Sequence, residues 1–271
     1  MTPRRWRPTP LLWLTFILHL GMVFLLICQP DSWRAWLTVL AANHLLLTGV
    51  GLWPRSQALG PNWRRLPDDA VSAGQVAITF DDGPDPEVTP QVLDLLERYH
   101  ARATFFCIGA QAERHPELCQ EIIRRGHAVE NHSQHHHYHF STFGPRRMAR
   151  EIDAGQHTLA RLSGQQPLFF RPTAGLRNPF LDYLLARRGL TLASWTRRGF
   201  DTRCSDTDKV ARRLVRQLAA GDILLLHDGH AARTADGTPV ILAVLPQVLD
   251  AVAAQGLRCV TLRSTLATAA S

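Results

Sequence analysis

Cysteine is scarce in this chain of 271 residues, and the five present, Cys28, Cys107, Cys119, Cys204 and Cys259, are scattered. Their spacings suit neither a thiolate metal site nor the disulfide framework of a small secreted domain. Free, mostly buried thiols are expected. Also lacking is any nucleic-acid-binding motif or platform of interleaved aromatic and basic residues. The net charge of +7, from 30 Lys and Arg against 23 Asp and Glu, therefore points to an anionic membrane surface and away from nucleic acid.

One stretch has almost no ionisable groups. Residues 11–28 form an apolar run interrupted only by His19, long enough to cross a hydrocarbon core of about 30 Å. The run exceeds the usual signal-peptide core and no small-x-small cleavage site follows it, so a membrane helix is expected. Residues 33–53 are a second candidate, weakened by Asn43 and His44 but flanked by tryptophans that suit a membrane interface. We expect a membrane anchor and linker over residues 1–66, with one or two transmembrane helices and preferably a helical hairpin, followed by a folded domain over residues 67–271. Arg4, Arg5 and Arg7 precede the first helix and Arg55, Arg64 and Arg65 follow the second, whereas the connection carries only Asp31 with Arg34 nearby. The positive-inside rule then places both ends in the cytoplasm, and the domain on the cytoplasmic face of the inner membrane. A single spanning helix would put it on the periplasmic or external face.

From residue 71 onward, strand-like and helical patterns alternate. Strands are expected over residues 76–80, 103–108, 127–130, 168–171, 191–195, 223–227 and 258–262, with helices over 90–99, 116–125, 145–162, 179–188, 208–219 and 240–254. About 200 residues are ample for one core. The alternation argues for parallel pairing and an α/β barrel.

Polar groups sit at the ends of these apolar strands. Val76 to Phe80 run into Asp81-Asp82-Gly83-Pro84, a strong turn signal that leaves two carboxylates at a strand's carboxyl end. About fifty residues later comes His132-Ser133-Gln134-His135-His136. Imidazole and carboxylate together suit zinc and related metals, and three protein ligands with an open position describe a catalytic site. The spacing of His132 and His136 lets them share one side of a helical turn. His135, His137 and His139 are surplus, although His135 is an alternative to His136 as a ligand. Phe169-Phe170-Arg171-Pro172 delivers a cation at a strand end, Asp222 to Asp228 deliver His227 at a strand exit, and Leu192 to Thr196 end near Arg197, Arg198 and Asp201.

Thr-Phe-Asp-Asp, His-Ser-x-x-His, Phe-Arg-Pro and Leu-x-His, in that order over roughly residues 71–268, resemble the polysaccharide deacetylases of carbohydrate esterase family 4, the NodB-type homology domain. The resemblance implies a distorted, incomplete (β/α)7-type barrel and a divalent metal, with zinc the expected ion. It implies Asp82, His132 and His136 as metal ligands, Asp81 as general base, and His227 as the general acid toward the leaving amine. Arg171 would orient Asp81, Leu225 would line the acyl pocket, the backbone N–H of Ala174 would serve the oxyanion, and Trp195 would form part of the substrate wall.

Two motifs depart from the family's pattern. Thr173-Ala174-Gly175 stands where the family often has Pro-Tyr-Gly, removing an aromatic side chain; a main-chain oxyanion donor tolerates that change. Where an Asp-Trp pair is usual, Trp195 leads instead into Thr196-Arg197-Arg198-Gly199-Phe200-Asp201, and Asp201 or a water is expected to contact Arg171. Arg177, Arg197 and Arg198 are a possible phosphate clamp or a solvated rim. The expected activity is hydrolytic removal of an N-acetyl or other N-acyl group from an amino sugar, in a membrane-associated glycan or a lipid-linked precursor. The expected partners are that glycan and membrane lipid. O-acyl ester hydrolysis and metal-dependent glycan binding without turnover are the alternatives.

Overall fold

Alternation of side chains along each strand separates two apolar environments, and this computed structural model, which describes residues 4–266, shows both. In β1 (Gln75–Asp81), Val76, Ile78 and Phe80 pack outward under the helices, while Ala77, Thr79 and Asp81 take the opposite face. β7 (Ile223–His227) repeats the pattern: Leu224 and Leu226 join the outer core, and Ile223, Leu225 and His227 share the inner face. Burying each large apolar side chain stabilises the fold by about 1.5–3 kcal/mol. These central strands are fully lined by such groups, and the period-two pattern fixes which polar residues point inward.

Among the described residues, every pair of named strands is parallel. β2 (Ala103–Cys107), β3 (Ala128–Asn131), β4 (Phe169–Phe170) and β5 (Thr191–Leu192) continue from one side of β1, while β7 and then β6 (Arg197–Arg198) continue from the other. β8 (Arg258–Cys259) pairs with the first residues of β1. β5 and β6 end the sheet path and are joined in sequence by residues 193–196, so the curled sheet is the incomplete barrel that the resemblance implied. Strands expected over 168–171, 191–195 and 258–262 are only two residues long here; beyond them, Leu168 and Leu262 donate their N–H groups to the side chains of Glu130 and Thr104. The short β6 carried no apolar signal and was not expected.

Preceding the barrel are α1 (Pro10–Cys28), α2 (Trp33–Gly51) and the short α3 (Asp68–Ser72). The crossovers are α4 (Thr89–Arg98), α5 (Gly109–Arg114), α6 (Pro116–Arg124), α7 (Pro145–Ser163), α8 (Leu181–Arg188), α9 (Thr207–Val215) and α10 (Val240–Ala254). Proline in the first turn starts α4, α6 and α7, where its missing N–H costs nothing. α3 and α5 are too short to show a periodic pattern and were not expected.

α1 and α2 run antiparallel around the tight turn Pro30–Ser32, with Leu12 against Leu47 and Thr15 Oγ1 3.2 Å from Asn43 Oδ1. Among the described residues, α1 alone is long and apolar enough to cross a membrane; α2 has the same length but carries Arg34, Asn43 and His44. The exit of α2 is seated on the barrel. Arg177 N–H donates to the Gly51 carbonyl at 3.1 Å, and a Cβ on Gly51 would stand 2.3 Å from the Arg177 carbonyl oxygen. The five cysteines are free, with Cys107 and Cys119 buried.

Candidate active site

Strand register brings the chemistry together. Asp81 ends β1 and is the direct partner of His227, which ends β7, so a carboxylate and an imidazole leave adjacent strands at one rim. Arg171 follows β4 and is fully buried. It donates to Asp81 Oδ1 at 2.6 Å, Thr79 Oγ1 at 2.8 Å, and the carbonyls of Ala193 and Ser194 at 3.1 and 2.9 Å. Its guanidinium carbon lies 4.0 Å from the centroid of Phe106. Burial pulls the Arg171 pKa down, opposed by Asp81. With these four acceptors the charge is compensated inside the barrel, and Asp81 Oδ2 is left toward the cavity.

Asp82, at the following turn, has φ 75°, a left-handed conformation uncommon for a residue with a Cβ. Its Oδ1 lies 3.3 Å from His132 Nε2 and 3.1 Å from His136 Nε2. These three donor atoms lie within 4.8 Å of one another. His132 Nδ1–H donates to the Arg171 carbonyl at 2.6 Å, which directs Nε2 to the shared centre. Asp82 Oδ1 is buried without a hydrogen-bond partner among the described residues. An orphaned carboxylate oxygen facing two imidazole nitrogens fits a divalent cation, and this donor set suits zinc.

The electrostatics agree. Burial raises the Asp82 carboxyl, but the imidazoles of His132, His230 and His136 more than reverse this and hold it well below the usual range. Burial disfavours protonated His132, yet Asp81 and Asp82 raise its pKa. For His136, burial and then the charge of His132 bring it down to about 4. A neutral, lone-pair-bearing His136 is ready to coordinate.

Residues 132–139 form a loop, not the helical turn that the four-residue spacing suggested; Ser133 and His136 have φ 66° and 51°. Ser133 Oγ accepts the His136 N–H at 3.1 Å, so the loop itself folds His136 back toward Asp82. His135 points away, with Nδ1 2.9 Å from Glu151 Oε1, and His137 lies 3.5 Å from the same oxygen. His139 packs on Phe143. The geometry favours His136 over His135 at the cation centre.

Opposite these groups, His227 Nδ1 lies 2.9 Å from Asp201 Oδ1, and Asp201 Oδ2 accepts the His227 backbone N–H at 2.7 Å. Burial opposes protonation of His227, but Asp201 outweighs it and pushes the pKa up to about 9. Asp201 was expected against Arg171. The structure corrects this: Arg171 is satisfied by Asp81, Thr79 and two carbonyls, while the Gly199-Phe200 turn carries Asp201 to His227.

Leu225, Ala174 and Trp195 line the same cavity of about 310 Å³, with Ala174 at φ 53°. The suggested phosphate clamp does not form. Arg177 is buried under the α2 exit and bonds the carbonyls of Ser56 and Gly60. Arg197 pairs with Asp222 and holds the carbonyls of Arg216 and Gln217 at the end of α9. Only Arg198 of the three reaches the cavity. Sequence reasoning also missed His230, whose Nδ1 lies 3.6 Å from Asp82 Oδ2. Gly229 permits this turn, since a Cβ there would stand 2.4 Å from the Asp82 carbonyl oxygen. Asp228-Gly229 after the strand-ending His227 was the available signal.

Residues 68–193 match the polysaccharide deacetylase family. The chain is 36% identical over 193 residues to a peptidoglycan-N-acetylglucosamine deacetylase of Bacillus cereus, an alignment covering 70% of this chain and 87% of the relative. It is 31% identical over 167 residues to a chitooligosaccharide deacetylase of Sinorhizobium fredii, covering 61% of this chain and 77% of that one. The crystal structure of a peptidoglycan N-acetylglucosamine deacetylase superposes with a TM-score of 0.68 at 26% identity, covering 75% of this chain and 92% of the other. Motif order, parallel barrel and sequence identity agree: the chain belongs to the polysaccharide deacetylase family, hydrolases of the carbon–nitrogen bond in N-acetyl groups.

Proposed function

We propose that this protein is a membrane-anchored, metal-dependent deacetylase that removes an N-acetyl or other N-acyl group from an amino sugar, in a membrane-associated glycan or a lipid-linked precursor. One observation carries the reading. Asp82, His132 and His136 converge beside Asp81 and opposite His227, each of the last two held by its own buried partner. Asp82, His132 and His136 would hold the cation, for which zinc suits the donors. When bound, it supplies a Lewis-acidic charge that polarises an acyl carbonyl and makes water a stronger acid.

Asp81 acts as the general base. Arg171 occupies Oδ1, so Oδ2 receives the proton of the attacking water. His227 acts as the general acid. Asp201 takes Nδ1, so Nε2 carries the proton delivered to the leaving amine, and the raised pKa keeps that proton in place at neutral pH. The Ala174 backbone N–H stabilises the oxyanion, a role that needs no tyrosine side chain. Leu225 and Trp195 exclude water around the acyl group. This full acid and base pairing favours turnover over silent glycan binding.

The anchor reading covers residues 1–66, with residues 67–271 as the catalytic domain. Both ends of the α1–α2 hairpin lie on one side, and the arginines flanking it favour the cytoplasmic face of the inner membrane. A reporter fused after the carboxyl end and active on one side only checks this.

The activity is tested by incubating metal-loaded protein with matched N-acetylated and O-acetylated amino sugars and measuring acetate and free amine. Release of amine by wild type, and its loss in Asp81→Asn with metal content retained, is expected. Turnover intact in Asp81→Asn would overturn the base assignment, and acetate from the O-acetylated sugar alone would make the enzyme an esterase.

A further inference from the structure

α9 carries Lys209, Arg212 and Arg213, whose i, i+3, i+4 spacing puts them on one side of the helix, and Arg216 at its C-cap lines the same cleft. Like charges four residues apart repel, so Lys209 with Arg213 works against the helix that bears them. Among the described residues no carboxylate lies within ion-pair distance of these four side chains. Such an arrangement favours an anion from outside the chain.

These cations border an open cleft of about 810 Å³. Trp53 and Arg55, just beyond the exit of α2, form another wall, and Trp195 and Arg198 a third. Trp195 and Arg198 also line the active-site cavity, so the two spaces meet at that pair. At the junction, Arg198 Nε is buried without a hydrogen-bond partner among the described residues, while its guanidinium lies over Trp195 and Phe200 at 5.4 and 4.9 Å. A guanidinium fixed by ring faces, with a free N–H, presents a planar donor edge that matches phosphate oxygens.

Position narrows the ligand. Trp53 is exposed at the end of the hairpin, where tryptophan suits the headgroup level, and the Gly51–Arg177 contact fixes that end to the barrel. The cleft therefore connects the membrane-proximal edge to the site, and its density of cations without a carboxylate partner fits two linked phosphates better than one carboxylate. We propose that it binds the diphosphate of an N-acylated amino sugar carried on a lipid, with the sugar in the adjoining cavity. This rests on the deacetylase reading and names its substrate class.

The test compares full-length, metal-loaded protein in nanodiscs with Arg212→Gln/Arg216→Gln, using inorganic pyrophosphate titrated calorimetrically at two salt concentrations. Two substrates are then turned over: a neutral chitooligosaccharide and N-acetylglucosaminyl diphosphate bearing a short prenyl chain. We expect pyrophosphate affinity to fall at least tenfold in the variant, with a weaker salt dependence. The ratio of kcat/KM for the diphosphate substrate over the neutral one should fall at least tenfold, chiefly through KM, with Tm equal to or above that of wild type. Unchanged affinity and ratio would overturn the proposal. So would loss of binding to phosphatidylglycerol vesicles, relative to phosphatidylcholine, with pyrophosphate affinity and substrate ratio intact, for the cations would then be a membrane-surface patch. If wild type deacetylates neither substrate while pyrophosphate binding still depends on the two arginines, the phosphate site stands and the deacetylase reading fails.

Discussion

Asp201 holds His227 twice: its Oδ1 lies 2.9 Å from the imidazole Nδ1, and its Oδ2 accepts the same residue's backbone N–H at 2.7 Å. The double contact fixes both the ring orientation and the nitrogen left to face the cavity. Asp201→Asn should reduce deacetylation by about 10²–10⁴-fold, the usual contribution of a positioned general acid. The basic limb of the kcat pH profile should also move to lower pH, because the charge that raises His227 is gone. An unmoved limb would show that Asp201 does not act through His227.

The same pair makes stability depend on pH. His227 is raised from its ordinary 6.5 to about 9, so its contribution is fully present below pH 6.5 and is lost as pH rises through 9. The difference corresponds to on the order of 3 kcal/mol. In urea titrations of the chelated protein, the destabilisation caused by Asp201→Asn should be larger at pH 6 than at pH 10. Equal destabilisation at both would contradict the coupling.

Metal content should distinguish two neighbouring histidines. His136→Ala removes an Nε2 that lies 3.1 Å from Asp82 Oδ1 and should abolish stoichiometric metal in the purified protein. His135→Ala removes the contacts with Glu151 and the His137 ring and should leave the cation between Asp82, His132 and His136 bound. Metal retained in the first variant and lost in the second would assign the ligand to His135.

Arg171→Met should destabilise the protein by about 3–5 kcal/mol, because it strands a buried carboxylate that the guanidinium now meets at 2.6 Å. Chemical denaturation measures the loss. Combining it with Asp81→Asn should cost less than the sum of the two single variants. Strict additivity would mean that the pair is not coupled.

Gly83 is required by shape. A Cβ there would stand 2.2 Å from Asp228 Oδ2 and 2.4 Å from Oδ1. Gly83→Ala should cost about 1–3 kcal/mol through overpacking. Gly83→Ala/Asp228→Ala should recover part of that loss in the same denaturation assay, and no recovery would place the strain elsewhere.

What was legible in the sequence follows from local patterns. The apolar runs Val76 to Phe80 and Ile223 to His227, with polar groups at their ends, gave the central strands and one shared rim, because period-two alternation decides which side chains face inward. Motif order gave the family, and the apolar run up to Cys28 gave α1. The two-residue β6 was not legible, since Arg197 and Arg198 carry no apolar signature and pair only because β7 is already in place.

Tertiary structure decided the partnerships. Arg171 meets Asp81 as the resemblance implied, but Asp201, expected beside Arg171 from the altered Asp-Trp motif, is carried by packing to His227. His135 and His136 are chemically identical neighbours, separated only by the loop's left-handed turns and Glu151. The cations of α9 and its C-cap Arg216 are close along the chain, but their meeting with Trp53 and Arg198 depends on the anchor docking against the barrel. Strand alternation and apolar runs are set by neighbours along the chain, so they can be read from it; the choice among several chemically equivalent charges is made by distance and burial, which exist only once the chain has closed on itself.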